Sequence, residues 1–148
     1  MTETNLSKIK KLFNEKRFSE IILELEVSTI EKNRSPAISN LLGVCRASQK
    51  GKTDRDVESA LKDFEVAFYK DNFNEISLDA LCNHIKLCVE MGRKESDLVK
   101  NLIISEKMYS EANKKFSNNE RYLAHGIDLY KYLLKHKERI LKLEEILK

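Results

Sequence analysis

Nine residues from Ala37 to Cys45, AISNLLGVC, return 43 positions later as ALCNHIKLC, Ala80 to Cys88. Ala37 matches Ala80, Asn40 matches Asn83 and Cys45 matches Cys88, while the apolar Leu42 and Val44 match Ile85 and Leu87. A second pair, ALKDFEVA (Ala60 to Ala67) and SEKMYSEA (Ser105 to Ala112), repeats small, aromatic and small residues at an offset of 45. IILELEVS, Ile21 to Ser28, is a weaker copy of that pattern at an offset of 39. Self-similarity at this period restricts a chain severely. Each unit cannot bury its apolar face alone, so the units must stack.

The units are helical. Leu6, Ile9, Leu12 and Phe13 share one helix face, as do Val57, Ala60, Leu61, Phe64 and Phe68. One proline, four glycines and an excess of Leu, Ile, Glu and Lys leave no strand pattern to compete. Two starts are written locally. Ser35 precedes Pro36, an N-cap followed by a residue that loses nothing by lacking an N–H. Thr53 stands three residues before Asp56, the spacing of a reciprocal cap. The expectation is an all-α chain of seven or eight helices forming a single domain over residues 1–148. Its antiparallel hairpins span about 5–33, 36–72, 77–116 and 119–148.

These residues resemble the tetratricopeptide repeat family. Leu42 and Gly43 match that family's first-helix Leu-Gly; Ala60, Phe64 and Ala67 match its second-helix triad, and Ser105, Tyr109 and Ala112 match it conservatively. Three positions depart: Arg46 stands where an aromatic is expected, Lys86 where the next glycine is, and Asn72 where a proline ends the unit. The resemblance implies a right-handed superhelix, a helical solenoid whose first helices line a concave groove for a peptide or partner domain. Gly43 then marks a close helix crossing, at a cost of about 1 kcal/mol in helix propensity.

Carried over by position, the groove holds Asn40, Val44, Arg46 and Ser48 from one unit and Asn83, Lys86, Leu87 and Glu90 from the next. A row of asparagines offers both donors and acceptors to a peptide backbone; the alternative is that each bonds a neighbouring helix or water. Arg46 and Lys86 suit an acidic partner, or are solvated surface charge. The function expected is a protein-interaction scaffold. The resemblance also implies a role as the accessory repeat module of a bacterial transferase.

Two other readings stay open. Net charge is only +3, with 27 basic and 24 acidic residues interspersed, which does not by itself point to nucleic acid. An RNA-binding surface would use Lys8, Lys10, Lys11, Lys16 and Arg17, or Lys114, Lys115 and Lys131. The amphipathic tail YKYLLKHKERILKLEEILK would either close the array, turning Ile140, Leu143 and Ile146 or Leu147 inward, or join two copies as a homodimer through the C-terminal helix.

No catalytic residue, cofactor or metal is expected. Cys82, His84 and Cys88 cannot converge on one ion, because Cys82 lies about 200° around a helix from His84. No phosphate-binding glycine loop or nucleophile elbow occurs. Three cysteines make no disulfide framework and fit a reducing cytosol. The polar N-terminus lacks the apolar core of a signal peptide, and no apolar run approaches the ~20 residues of a membrane span.

Overall fold

The computed structural model describes residues 3–91 and 95–135, with 141 and 145. Among them are seven α-helices and no strand: α1 (Glu3–Asn14), α2 (Phe18–Ser28), α3 (Pro36–Ser48), α4 (Asp54–Lys70), α5 (Glu75–Met91), α6 (Glu95–Phe116) and α7 (Glu120–Lys135). A 3-10 turn, Glu31–Asn33, lies between α2 and α3, where α2 ends two residues before Ile30. The eighth helix expected over the tail, including Ile140, Leu143, Ile146 and Leu147, lies outside the described residues except for Leu141 and Glu145, both helical.

Local chemistry sets the helix starts. The Ser35 side chain accepts from the Ile38 N–H at 3.2 Å, with Pro36 in the first turn. Thr53 and Asp56 cap each other: the Asp56 N–H donates to Thr53 Oγ1 at 3.2 Å, and the Thr53 N–H donates to Asp56 Oδ2 at 2.8 Å. The turn between α4 and α5 is tighter. Asn72 and Phe73 take left-handed φ values of 52° and 61°. Ser77 Oγ secures them, accepting from the Phe73 N–H at 2.9 Å and donating to the Phe68 carbonyl at 2.6 Å. Proline, locked near a φ of about −65°, cannot occupy position 72. Asparagine, which tolerates the left-handed region, can.

Packing follows chain order. The most extensive contacts join α3 to α4 and α4 to α5, and every substantial contact joins helices one or two places apart. One row runs α3–α5–α7, and α4 and α6 touch in a second. Two apolar clusters result. Ile9, Leu12, Ile21, Leu25, Leu42 and Cys45 close the first, between α1, α2 and α3. The second is centred on α5 and includes Phe64, Phe68, Leu81, Ile85, Leu102, Met108, Tyr122 and Leu129. With neighbours on four sides, α5 buries residues around most of its circumference and leaves only a narrow strip, including Lys86 and Glu90, in water.

The glycine of the repeated stretch sits where close approach demands it. A Cβ added to Gly43 would lie 2.7 Å from Phe64 Cδ1 and 2.9 Å from Cζ, and the ring is 1% exposed. The small residue makes room for the aromatic ring. Gly126 on α7 does the same for Tyr109, where an added Cβ would come within 2.8 Å of Cε2. That ring stacks on Tyr122 with centroids 4.0 Å apart.

Candidate functional site

All eight positions expected to line a groove lie on α3 and α5 of the α3–α5–α7 row. Asn40 and Asn83 come together, but on each other. The Asn83 Nδ2 donates to Asn40 Oδ1 at 3.2 Å, and both residues are half-buried. The repeat-equivalent amides form a rung between α3 and α5. Val44 is half-buried against the central cluster, and Ser48 is exposed at the end of α3.

Arg46 and Leu87 point elsewhere. Arg46 reaches toward α2 and α4, donating to Glu26 Oε1 at 2.6 Å and pairing with Asp63. Burial opposes the Arg46 charge, but the two carboxylates more than offset it and hold its pKa above the ordinary value. Burial also lifts the Asp63 carboxyl to about 6 against the pull of Arg46. An arginine committed to two carboxylates holds the layers together and is not offered to a partner. Leu87 is 4% exposed and belongs to the central cluster, so it forms no groove wall; α5 buries more of its circumference than an amphipathic pattern implies.

Lys86 and Glu90 do line an open groove, of about 610 Å3, between α5 and α7. These two helices run the same way. Their N-terminal halves are tied by an ion pair between Asp79 and Arg121, and the groove opens at their C-terminal halves. Ile85, Val89 and Tyr132 give it an apolar floor. Lys86, Glu90, Asp128, Lys131 and Lys135 surround that floor. Other charges at helix junctions are paired: Arg46 with Asp63 and Glu26, Arg121 with Asp79, Lys8 with Glu24. Among the described residues, the five groove charges form no ion pair. The α7 half of this groove was missed from sequence. A signal was present: Gly126 stands 83 residues after Gly43, about two repeat lengths on.

A buried polar cluster lies between α5 and α6. His84 Nδ1 and Ser105 Oγ are 2.6 Å apart. Cys88 Sγ lies 3.5 Å from Ser105 Oγ and 3.7 Å from the Asn101 carbonyl. Its residue types are those of nucleophilic catalysis, but its electrostatics are not. Burial pushes the Cys88 thiol up to about 12 and the His84 imidazole down to about 4, whereas a reactive thiol needs its pKa lowered. His84 is 1% exposed, so no substrate reaches it. The cluster satisfies polar groups inside the core.

Among the described residues, no group of three or more His, Cys, Asp or Glu side chains is placed to hold a metal ion. Nor is any described helix long and apolar enough to cross a membrane. Of the cations considered for RNA, Lys8 is paired with Glu24, and Arg17 with Glu15 and Glu20. No family model, curated protein or solved structure matches this chain.

Proposed function

We propose that this chain is a divergent tetratricopeptide-like repeat module that captures a segment of a partner protein in the α5–α7 groove. Stacked equivalent units are supported by three side-chain contacts at nearly one repeat length. Asn40–Asn83 and Glu58–Asn101 are each 43 residues apart, and Asp79–Arg121 is 42 apart. Contacts restricted to helices one or two places apart have the same origin, because each unit in a solenoid meets only its neighbours.

The observation carrying the binding reading is the set of unpaired charges around an apolar floor. Surfaces that bind combine a dry centre with a polar rim. Here Ile85, Val89 and Tyr132 supply the centre, and five charges that form no ion pair among the described residues supply the rim. The test is selection of 12-residue peptides from a random display library on the wild-type chain. Enriched peptides should bind at least tenfold more weakly to Lys86→Glu/Lys131→Glu, and no differently to a control altered at exposed Lys62. Failure to enrich any sequence, or equal binding by the groove variant, overturns the reading.

A further inference from the structure

The α5–α7 groove constrains both the conformation and the charge of whatever enters it. Asp79 and Arg121, 42 residues apart, form an ion pair across these two helices. About two turns further on, Lys86 and Asp128 are also 42 apart and opposite in sign, yet among the described residues they form no pair. The walls have parted at that level, with Ile85 and Val89 on the floor. The same register sets Glu90 across from Tyr132, beside Lys131. Charge order is therefore opposite on the two walls: Lys86 then Glu90 on α5, Asp128 then Lys131 and Lys135 on α7. All five side chains are exposed. Ile85 and Val89 offer no partner to a bare backbone. The amides placed to meet an extended chain, Asn40 and Asn83, bond each other at 3.2 Å. His125, on the groove wall, turns Nδ1 to the Arg121 carbonyl at 2.9 Å.

We propose, resting on the reading of this groove as the binding site, that its occupant is an amphipathic helix of the partner lying along α5 and α7. An extended segment would lay N–H and C=O groups over an apolar floor, where unsatisfied polar groups are costly. A helix brings its backbone bonds with it and needs only an apolar seam, the helix-in-groove mode of recognition. Its flanks carry charge in the order that the walls demand. The flank beside α5 has an acid at the level of Lys86 and a base one turn on, at Glu90. The flank beside α7 has a base at Asp128, then acids at Lys131 and Lys135. Residues four apart on any helix are separated by about 6 Å along its axis, so the turns of the occupant keep step with the turns of the walls. A helix with the reverse order meets like charge at both levels and is rejected.

Selection of 18-residue peptides from a random display library on the full chain tests this. Wild-type selection should enrich apolar residues at i, i+3 or i+4, and i+7. The enriched peptides should turn helical on binding, read from their Cα chemical shifts, and a central proline should weaken them at least tenfold. Lys86→Glu/Asp128→Lys exchanges the charges at one level of the groove; both positions are exposed, so its circular dichroism should match wild type. Selection on that variant should return peptides with the charges of that level exchanged, binding wild type at least tenfold more weakly. Peptides that bind in extended form, yet are lost with Lys86→Glu/Lys131→Glu, overturn the helix and leave the groove reading standing. Helical peptides lost with that variant but returned unchanged by the exchange variant overturn the charge order. Peptides indifferent to both variants, or no enrichment, overturn this inference and the groove reading together.

Discussion

Replacing Gly43 with alanine sets two terms of known size against each other. In a helix interior the change is worth about 1 kcal/mol in favour of alanine. Against it stands the Phe64 ring, whose carbons would lie 2.7 and 2.9 Å from the new methyl. Unstrained carbon contacts sit at about 3.5–4.0 Å, so the ring must retreat by most of an ångström. It has nowhere to go: Phe64 is 1% exposed and packed within the central cluster. Overpacking of this kind costs about 1–3 kcal/mol, and with no room for the ring the upper part of that range, about 2–3, applies before the propensity gain is subtracted. The net expectation is destabilisation by about 1–2 kcal/mol, or a Tm lower by roughly 2–8 °C for a chain of this length. Urea unfolding followed by circular dichroism measures it. The decisive comparison is the same change in a Phe64→Leu background, where the ring edge is gone and Gly43→Ala should be neutral or stabilising by up to about 1 kcal/mol. A stabilising Gly43→Ala in the wild-type background, or the same effect in both backgrounds, refutes the crossing as the reason for the glycine.

Other perturbations have outcomes of stated sign. Arg46→Met leaves the Asp63 carboxylate without its cation and should cost about 2–3 kcal/mol in urea unfolding, with most of it recovered in Arg46→Met/Asp63→Leu; equal losses in single and double variants would refute the pairing. Asn40→Ala removes the rung to Asn83 and should cost about 1 kcal/mol; no loss of stability would mean the amides contribute nothing. Because the buried His84 imidazole has a pKa of about 4 and gains protons near 6.5 on unfolding, its contribution to stability is lost as pH falls from 6.5 toward 4. Asp63, raised to about 6, acts with the opposite sign in wild type and His84→Gln alike, so it cancels in their difference. The stability advantage of wild type over His84→Gln should therefore shrink across that window, by on the order of 3 kcal/mol; a difference independent of pH would show that the imidazole is not held neutral.

What the sequence made legible was local or periodic. The Ser35 and Thr53 caps depend on residues three positions away, and both formed as read. Gly43 was legible as a crossing, but not which side chain it made room for, since Phe64 lies 21 residues on. Repeat equivalence located Asn40 and Asn83 opposite each other; it could not say that the amides would bond across the seam. Arg46 looked available because its carboxylates arrive from 20 residues before and 17 after. Leu87 looked like a groove wall because it is the repeat counterpart of Val44, but a helix packed on four sides buries positions that shared register alone would leave open. The α7 half of the groove went unread because the copy between carries Lys86 instead of glycine, which hides the register linking Gly43 to Gly126.

Whether the units stack in an open row or close into a bundle is measured most directly by the distance between α2 and α7. Spin labels on engineered cysteines at exposed Ser28 and Ala124 report it, and the buried native thiols, which burial holds protonated, stay unlabelled. With helices spaced about 8–10 Å apart and several lying between these two, an open row predicts a single distance beyond about 25 Å. A distribution centred below about 20 Å, within two helix diameters, would mean that the first and last units meet, and would contradict the stacked array and the groove built on it.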